Sequence, residues 1–307
     1  MGDGRFPVAL TGFCLALTGG FALLQSASGH LLPHDSQAIG MDAGALMRAG
    51  NPRLLGFMFH DRVAYGGSLL SIGLGYMWLA GFPLVHREIW AWWALIVSGV
   101  IGFIGFLTYL GQGYLDSWHA VATIFLLPVF AAGVWRLRPR VLTFSSIWRT
   151  GRPRENSAAM SGRLLLAVTA IGLMFAGTTI AVFGMTTVFV PSDLRFIGLD
   201  TSVLKRISPM LIPVISHDRA GFGVGLCSIG GFLLRVARHA ELSRSLIQIV
   251  ALMGAAGFGS AIGIHFAVGY LDFLHLLPAY VGLVLFILAD LLLCMAQKGQ
   301  SQASTLG

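Results

Sequence analysis

Charged side chains are scarce in this chain. Asp, Glu, Lys and Arg make up 11% of its 307 residues, where a soluble domain carries about 25%. That scarcity excludes an ordinary soluble globular domain. Cysteine is scarce too. Cys14, Cys227 and Cys294 are odd in number, lie in apolar runs and show no CxxC spacing, which excludes a disulfide framework and a cysteine zinc site. No nucleotide-binding motif occurs, so a reductant would have to be a quinone or a separate redox protein. What is there is apolar: 56% hydrophobic residues, 40 glycines and a mean hydropathy of +0.78. The net charge of +7 suggests nucleic acid at first sight. The arginines, however, fall in short blocks between apolar runs, where topology signals belong. Nucleic acid is excluded as a partner, and membrane lipid is implied.

A spanning helix needs about 20 mostly apolar residues. Eight stretches qualify, near 6–26, 59–81, 89–111, 117–136, 163–186, 214–236, 246–268 and 274–295. With eight spans the loops alternate sides. Of the 20 basic residues most fall on one side, and the block WRLRPRVLTFSSIWRTGRPREN lies there between the fourth and fifth spans. The positive-inside bias makes that side cytoplasmic. The expectation is a multi-pass protein of a bacterial-type inner membrane, with both termini cytoplasmic and the 27–58 and 187–213 loops outside.

The chain also resembles itself. LPHDSQAIGMD, ending at Asp42, is similar to VPSDLRFIGLD, ending at Asp200. His60-Asp61-Arg62 recurs as His217-Asp218-Arg219, and Ser71-Ile72-Gly73 as Ser228-Ile229-Gly230. GYLDSWH from Gly113 recurs as GYLDFLH from Gly269. The order is kept along four helices, which predicts an all-α membrane fold of two parallel tandem four-helix repeats. The first repeat covers 1–136, a basic cytoplasmic linker 137–162, the second repeat 163–297, and a polar tail 298–307. Asp42 and Asp200 each precede a short helical pattern as natural N-caps, so the outer loops are expected to fold over the helix ends.

Histidine carries the chemistry. His60 and His217 begin the second helix of each repeat, while His119 and His275 begin the fourth. Bundles build cofactor sites from facing helices, so the layout predicts one facing pair per repeat, His60 with His119 and His217 with His275. Asp116 and Asp272 stand three residues before a histidine, which brings both side chains to one helical face. The plainer alternatives stay open: Asp116 as an N-cap, and His-Asp-Arg as an ion-pair cluster holding the helix tops. Ionisable groups in membrane segments are functional candidates by default. Three cofactor readings compete. Heme b on bis-histidine ligands comes first, with Gly66, Gly67, Gly73, Gly221, Gly223 and Gly225 as small neighbours. A non-heme metal ion with Asp116 and Asp272 as further ligands comes second, and zinc third. The same glycines also suit close helix packing.

On these residues the chain resembles heme A synthase, a family with eight spans, two parallel four-helix halves and a histidine pair per half on the second and fourth helices. The resemblance is one of architecture and histidine placement. It implies His60, His119, His217 and His275 as iron ligands in a heme-binding relative, rather than heme A synthesis itself. Arg62 and Arg219 would pair with propionates. The function expected is then a heme-binding membrane redox protein, an oxidoreductase acting on a quinone or with a redox partner protein. A parallel-repeat transporter or ligand-binding protein and a non-catalytic assembly subunit are the alternatives. Catalytic candidates are His34, Asp35, Asp61 and Asp116. The copies also differ: His34 is matched by Ser192, and His265 stands where the first copy has Tyr109. A histidine titrates near neutrality and can move protons. The first repeat, with its extra loop histidines and Asp35, is expected to meet the substrate, and the second to support it.

Overall fold

The computed structural model describes residues 3–105, 114, 117–139 and 156–306, without the side chains of 117–119 and 300–306. Tyr109, Asp116, the end of the 89–111 stretch and most of the 137–162 linker lie outside the described residues, as does the side chain of His119. Among the described residues the fold is all helix, with no strand.

The long helices are α1 (Arg5–Ala27), α4 (Pro52–Gly81), α5 (Ile89–Ile104), α6 (Ser117–Arg136), α7 (Ser157–Met185), α10 (Leu211–His239), α11 (Arg244–Val268) and α12 (Phe273–Leu306). Between α1 and α4 lie two short helices, α2 (Pro33–Ile39) and α3 (Ala43–Ala49). Between α7 and α10 lie α8 (Pro191–Ile197) and α9 (Thr201–Ile207). Six of the long segments are long and apolar enough to cross a membrane: Arg5–Ala27, Pro52–His86, Ser157–Met185, Leu211–His239, Arg244–Val268 and Phe273–Gly299. Ile89–Ile104 and Ala120–Arg136 are shorter apolar helices. The chain is a multi-pass membrane protein by this measure, because a helix satisfies its own backbone where no water is available. Its apolar surface agrees: Phe13, Leu17, Phe175, Leu288 and Leu291 are all exposed.

Local chemistry sets the helix starts. Asn51 accepts from Leu54 N at 2.9 Å and is followed by Pro52 at the first helical position, where proline has no amide to lose. Asn156 and Ser243 cap α7 and α11 in the same way. Asp42 and Asp200 cap α3 and α9, accepting from Ala45 N at 2.6 Å and Val203 N at 2.9 Å. The short helices do fold over one end of the bundle. Their apolar residues Ile39, Leu46, Ile197 and Leu204 join Leu54, Phe57, Leu211 and Val214 in a buried core. Asn51 Nδ2 donates to Ile197 O at 2.9 Å, and Ser208 Oγ to Ile39 O at 3.1 Å, so the two loop regions are stitched to each other.

α4 and α10 are the central pair, and both are mostly buried. α4 packs on α1, on α11 and on α10. α10 packs on α7, on α5 and on α4. Glycine sets the close contacts: a methyl group on Gly19 would strike the Gly66 carbonyl of α4, and one on Gly177 the Gly223 carbonyl of α10. Close backbone approach of this kind is how small residues drive helix packing in lipid. Gly66 and Gly223 are thus filled by neighbouring helices and line no space for a macrocycle. The repeated serines tie the arrangement across the chain. Ser71 Oγ of α4 donates to Met253 O of α11 at 3.0 Å, and Ser228 Oγ of α10 to Ser98 O of α5 at 2.8 Å. Each central helix therefore bonds a helix from the other part of the chain.

Candidate functional site: a buried imidazole cluster

The two His-Asp-Arg triplets lie in α4 and α10 at the end covered by the short helices, and all six side chains are buried. Their carboxylates and guanidiniums cross over. Arg62 Nε donates to Asp218 Oδ2 at 2.8 Å, and Arg219 Nη2 to Asp61 Oδ1 at 3.2 Å. Each arginine also holds the aspartate of its own loop. Arg62 Nη2 donates to Asp35 Oδ2 at 2.5 Å, and Arg219 Nη1 to Asp193 Oδ2 at 2.5 Å. A tyrosine completes each clamp: Tyr114 Oη donates to Asp35 Oδ1 at 2.6 Å, and Tyr270 Oη to Asp193 Oδ1 at 2.8 Å. Burial pushes the Tyr270 phenol up, so it keeps its proton and remains a donor. Arg219 additionally donates to Val188 O at 2.7 Å. Val188 sits at φ +62°, an outlier for a β-branched residue, which its bonded carbonyl helps to hold.

These bonds assign most of the sequence candidates. Asp35 is buried and saturated by Arg62 and Tyr114. His34 Nε2 lies 3.6 Å from its Oδ1. Arg62 and Arg219 are committed to two carboxylates each, which leaves neither for a propionate. Asp272 caps α12, accepting from His275 N at 2.9 Å, and lies 3.6 Å from Arg195. Among the described contacts it serves as a helix cap.

Among the described side chains, which exclude that of His119, the histidines group across the chain. His60 of α4 reaches α11 and α12. Its Nε2 lies 2.9 Å from His265 Nε2, and its ring centroid is 6.0 Å from that of His275. One nitrogen from each of His60, His265 and His275 lies within 4.8 Å of the others. His217 stands elsewhere, its ring edge-on to Tyr114 at 5.2 Å and to Tyr65 at 6.2 Å, with Nδ1 3.0 Å from Asp218 Oδ1. His217 and His275, expected as partners, are therefore set in different surroundings. His265 is the member that sequence reasoning did not place as a ligand. Its signal was present, since it is the histidine that breaks the match by replacing a tyrosine. Tyr114 and Tyr270 were also missed, though both sit inside the repeated GYLD motif.

Tautomers sharpen the cluster. His265 Nδ1 lies 2.7 Å from Ala261 O. A carbonyl can only accept, so Nδ1 carries the proton. His60 Nδ1 lies 3.0 Å from Asp61 Oδ1, oblique to a straight hydrogen bond but with a carboxylate that again favours the proton on Nδ1. His275 Nδ1 lies 3.4 Å from Tyr270 Oη, whose own proton goes to Asp193. All three Nδ1 atoms face an oxygen, and in the tautomer with the proton on Nδ1 each Nε2 offers its lone pair. Anchoring the far nitrogen to a carboxylate, carbonyl or hydroxyl is how metal-binding histidines are oriented. His60 Nε2 and His265 Nε2 lie 2.9 Å apart, a gap closed by a hydrogen bond when one of them carries the proton and by a shared cation when neither does.

The chain was also compared with known proteins, and no protein-family model, no curated protein and no solved structure matches it.

Proposed function

We propose that the protein is an integral membrane metalloprotein holding a non-heme transition-metal ion on His60, His265 and His275. The single observation that carries this reading is the convergence of three imidazoles whose Nδ1 atoms face Asp61, Ala261 O and Tyr270. Charge supports it. Among the described residues the surrounding network buries Asp35, Asp61, Asp193 and Asp218 against Arg62 and Arg219 alone, so the carboxylates outnumber the guanidiniums by two. Buried charge is tolerated when paired or metal-bound, and a divalent ion on neutral histidines supplies the missing charge. An all-imidazole set suits zinc, copper, iron or nickel. Three protein ligands leave a coordination position open, as catalytic rather than structural sites do. With iron or copper the protein would be an oxidoreductase.

Bis-histidine heme fits this cluster poorly. Axial nitrogens must face each other across a flat macrocycle, and 2.9 Å between His60 and His265 leaves no room for one. The arrangement around the site fits eight spans in two parallel repeats, with both termini cytoplasmic in an inner membrane. That part of the proposal is supported by the arginine bias and by the matched clamps at Asp35 and Asp193. A reporter fused at residue 150 should read as cytoplasmic, and a periplasmic reading would reverse the topology.

Elemental analysis of the purified protein tests the metal. About one equivalent of a transition metal is expected, to be lost in His265→Ala and kept in His217→Ala. A stoichiometric Soret band, or metal retained in His265→Ala, would overturn the assignment.

A further inference from the structure

We propose that the site is entered sideways from the bilayer and takes an uncharged, membrane-dissolved substrate. This rests on the metal reading above and adds the substrate class.

Toward the loops, the cluster is sealed by aromatic rings. Phe57 is fully buried and stacks on His60 at 5.7 Å between centroids. It also packs on Phe189 at 6.0 Å and on Phe196 at 6.5 Å. Phe196 in turn stacks on Tyr270 at 4.6 Å. Arg219 caps the far face of this layer, 5.0 Å from the Phe57 ring. A hydrated or charged molecule coming from the aqueous loop side meets this wall, with the short helices above it.

The lateral side differs. His60 and His265 are 5% and 6% exposed, whereas His275 is only half-buried. His275 is thus the cluster member that reaches the surface. The residues around it there are large and apolar: Leu274 is 76% exposed, Phe273 64%, Leu271 56% and, next to His265, Phe266 59%. Exposed large apolar side chains suit an apolar medium, and these lie where two helices apolar enough to cross a membrane meet in sequence. Asp272, between Leu271 and Phe273 in sequence, lies 3.6 Å from the exposed Arg195, as charged groups do at the headgroup boundary. The open coordination position therefore communicates with lipid. A neutral molecule dissolved in the bilayer reaches it without leaving the apolar phase.

Two chelators with the same nitrogen pair test the route. The protein, in lipid nanodiscs and loaded anaerobically with Fe(II), is exposed to 1,10-phenanthroline or to its doubly sulfonated, membrane-excluded bathophenanthroline analogue. Iron loss is read from the coloured chelate. The neutral chelator should strip iron at least about tenfold faster, because charge is excluded from the bilayer. Leu274→Arg, at an exposed position that costs no packing, should narrow that ratio. Equal rates, or faster stripping by the sulfonated chelator, would place the entrance in water and overturn the proposal. Failure of the wild type to hold any Fe(II) while His60, His265 and His275 remain intact would instead remove the metal reading beneath it.

Discussion

The same triplet serves two different neighbourhoods. At 60–62 and at 217–219 the aspartate and arginine make matching bonds: Arg62 with Asp35 and Asp218, Arg219 with Asp193 and Asp61. Among the described side chains, which exclude those of Tyr109 and His119, His60 meets two imidazoles, His265 and His275, while His217 meets the phenols of Tyr114 and Tyr65. The comparison separates two jobs within one motif. Aspartate and arginine clamp the central helices and their loops, and both copies need that. In the proposed reading the histidine at position 60 is a ligand, because His265 and His275 stand beside it.

The largest effects should fall on the shared job and be equal in the two copies. Arg62→Met and Arg219→Met each strand two buried carboxylates, and breaking a buried pair costs about 3–5 kcal/mol. Thermal unfolding in detergent should show both variants severely and similarly destabilised. A mild effect in one alone would break the equivalence of the clamps.

Next come the changes that should divide the copies. His265→Tyr gives the first cluster the residue type that stands at the matched position 109, and should abolish stoichiometric metal binding. His217→Tyr should leave the metal in place. Metal analysis of the two variants side by side decides, and loss of metal from both would merge the sites. Asp61→Asn and Asp218→Asn should weaken the clamps alike. Only Asp61→Asn should also lower metal affinity, by about 10–100-fold, the usual effect of removing a partner that orients a ligand. Competition with a chromogenic chelator measures it.

The smallest effect is on the phenols. Tyr114→Phe and Tyr270→Phe each remove one bond to a buried carboxylate, worth about 1–3 kcal/mol. Both should lower thermal stability to a similar degree. Tyr270→Phe should also weaken metal binding through His275, while Tyr114→Phe should not.

Much of this fold was legible in the residues. The apolar runs marked helices because only a self-bonded backbone is stable in lipid. Asp42, Asp200, Asn51 and Asn156 act on amides three residues away, so their capping is local chemistry. The matched triplets showed that something at one end was built twice. The imidazole cluster was half legible: His60 and His275 stood out by position. His265 looked like a departure from the match, because its partners are 205 and 10 residues away in sequence and nothing local points to them.

The sequence by itself determined which stretches are apolar helices, that Asp42 and Asp200 cap short helices, and which polar groups come in matched pairs. These follow from hydropathy, side-chain caps and internal similarity. Only the tertiary structure decided who pairs with whom. A matched motif is equally compatible with bonding inside its own copy or across to the other, since the residue types are the same in either case. The choice is made by packing at a distance. Contacts such as Gly19 on Gly66 and Gly177 on Gly223 let α1 and α7 close on one side of the central helices, and Ser71 and Ser228 bind the opposite side to α11 and α5. That exchange sends His60 to His265 and His275, and sets His217 beside Tyr65 and Tyr114.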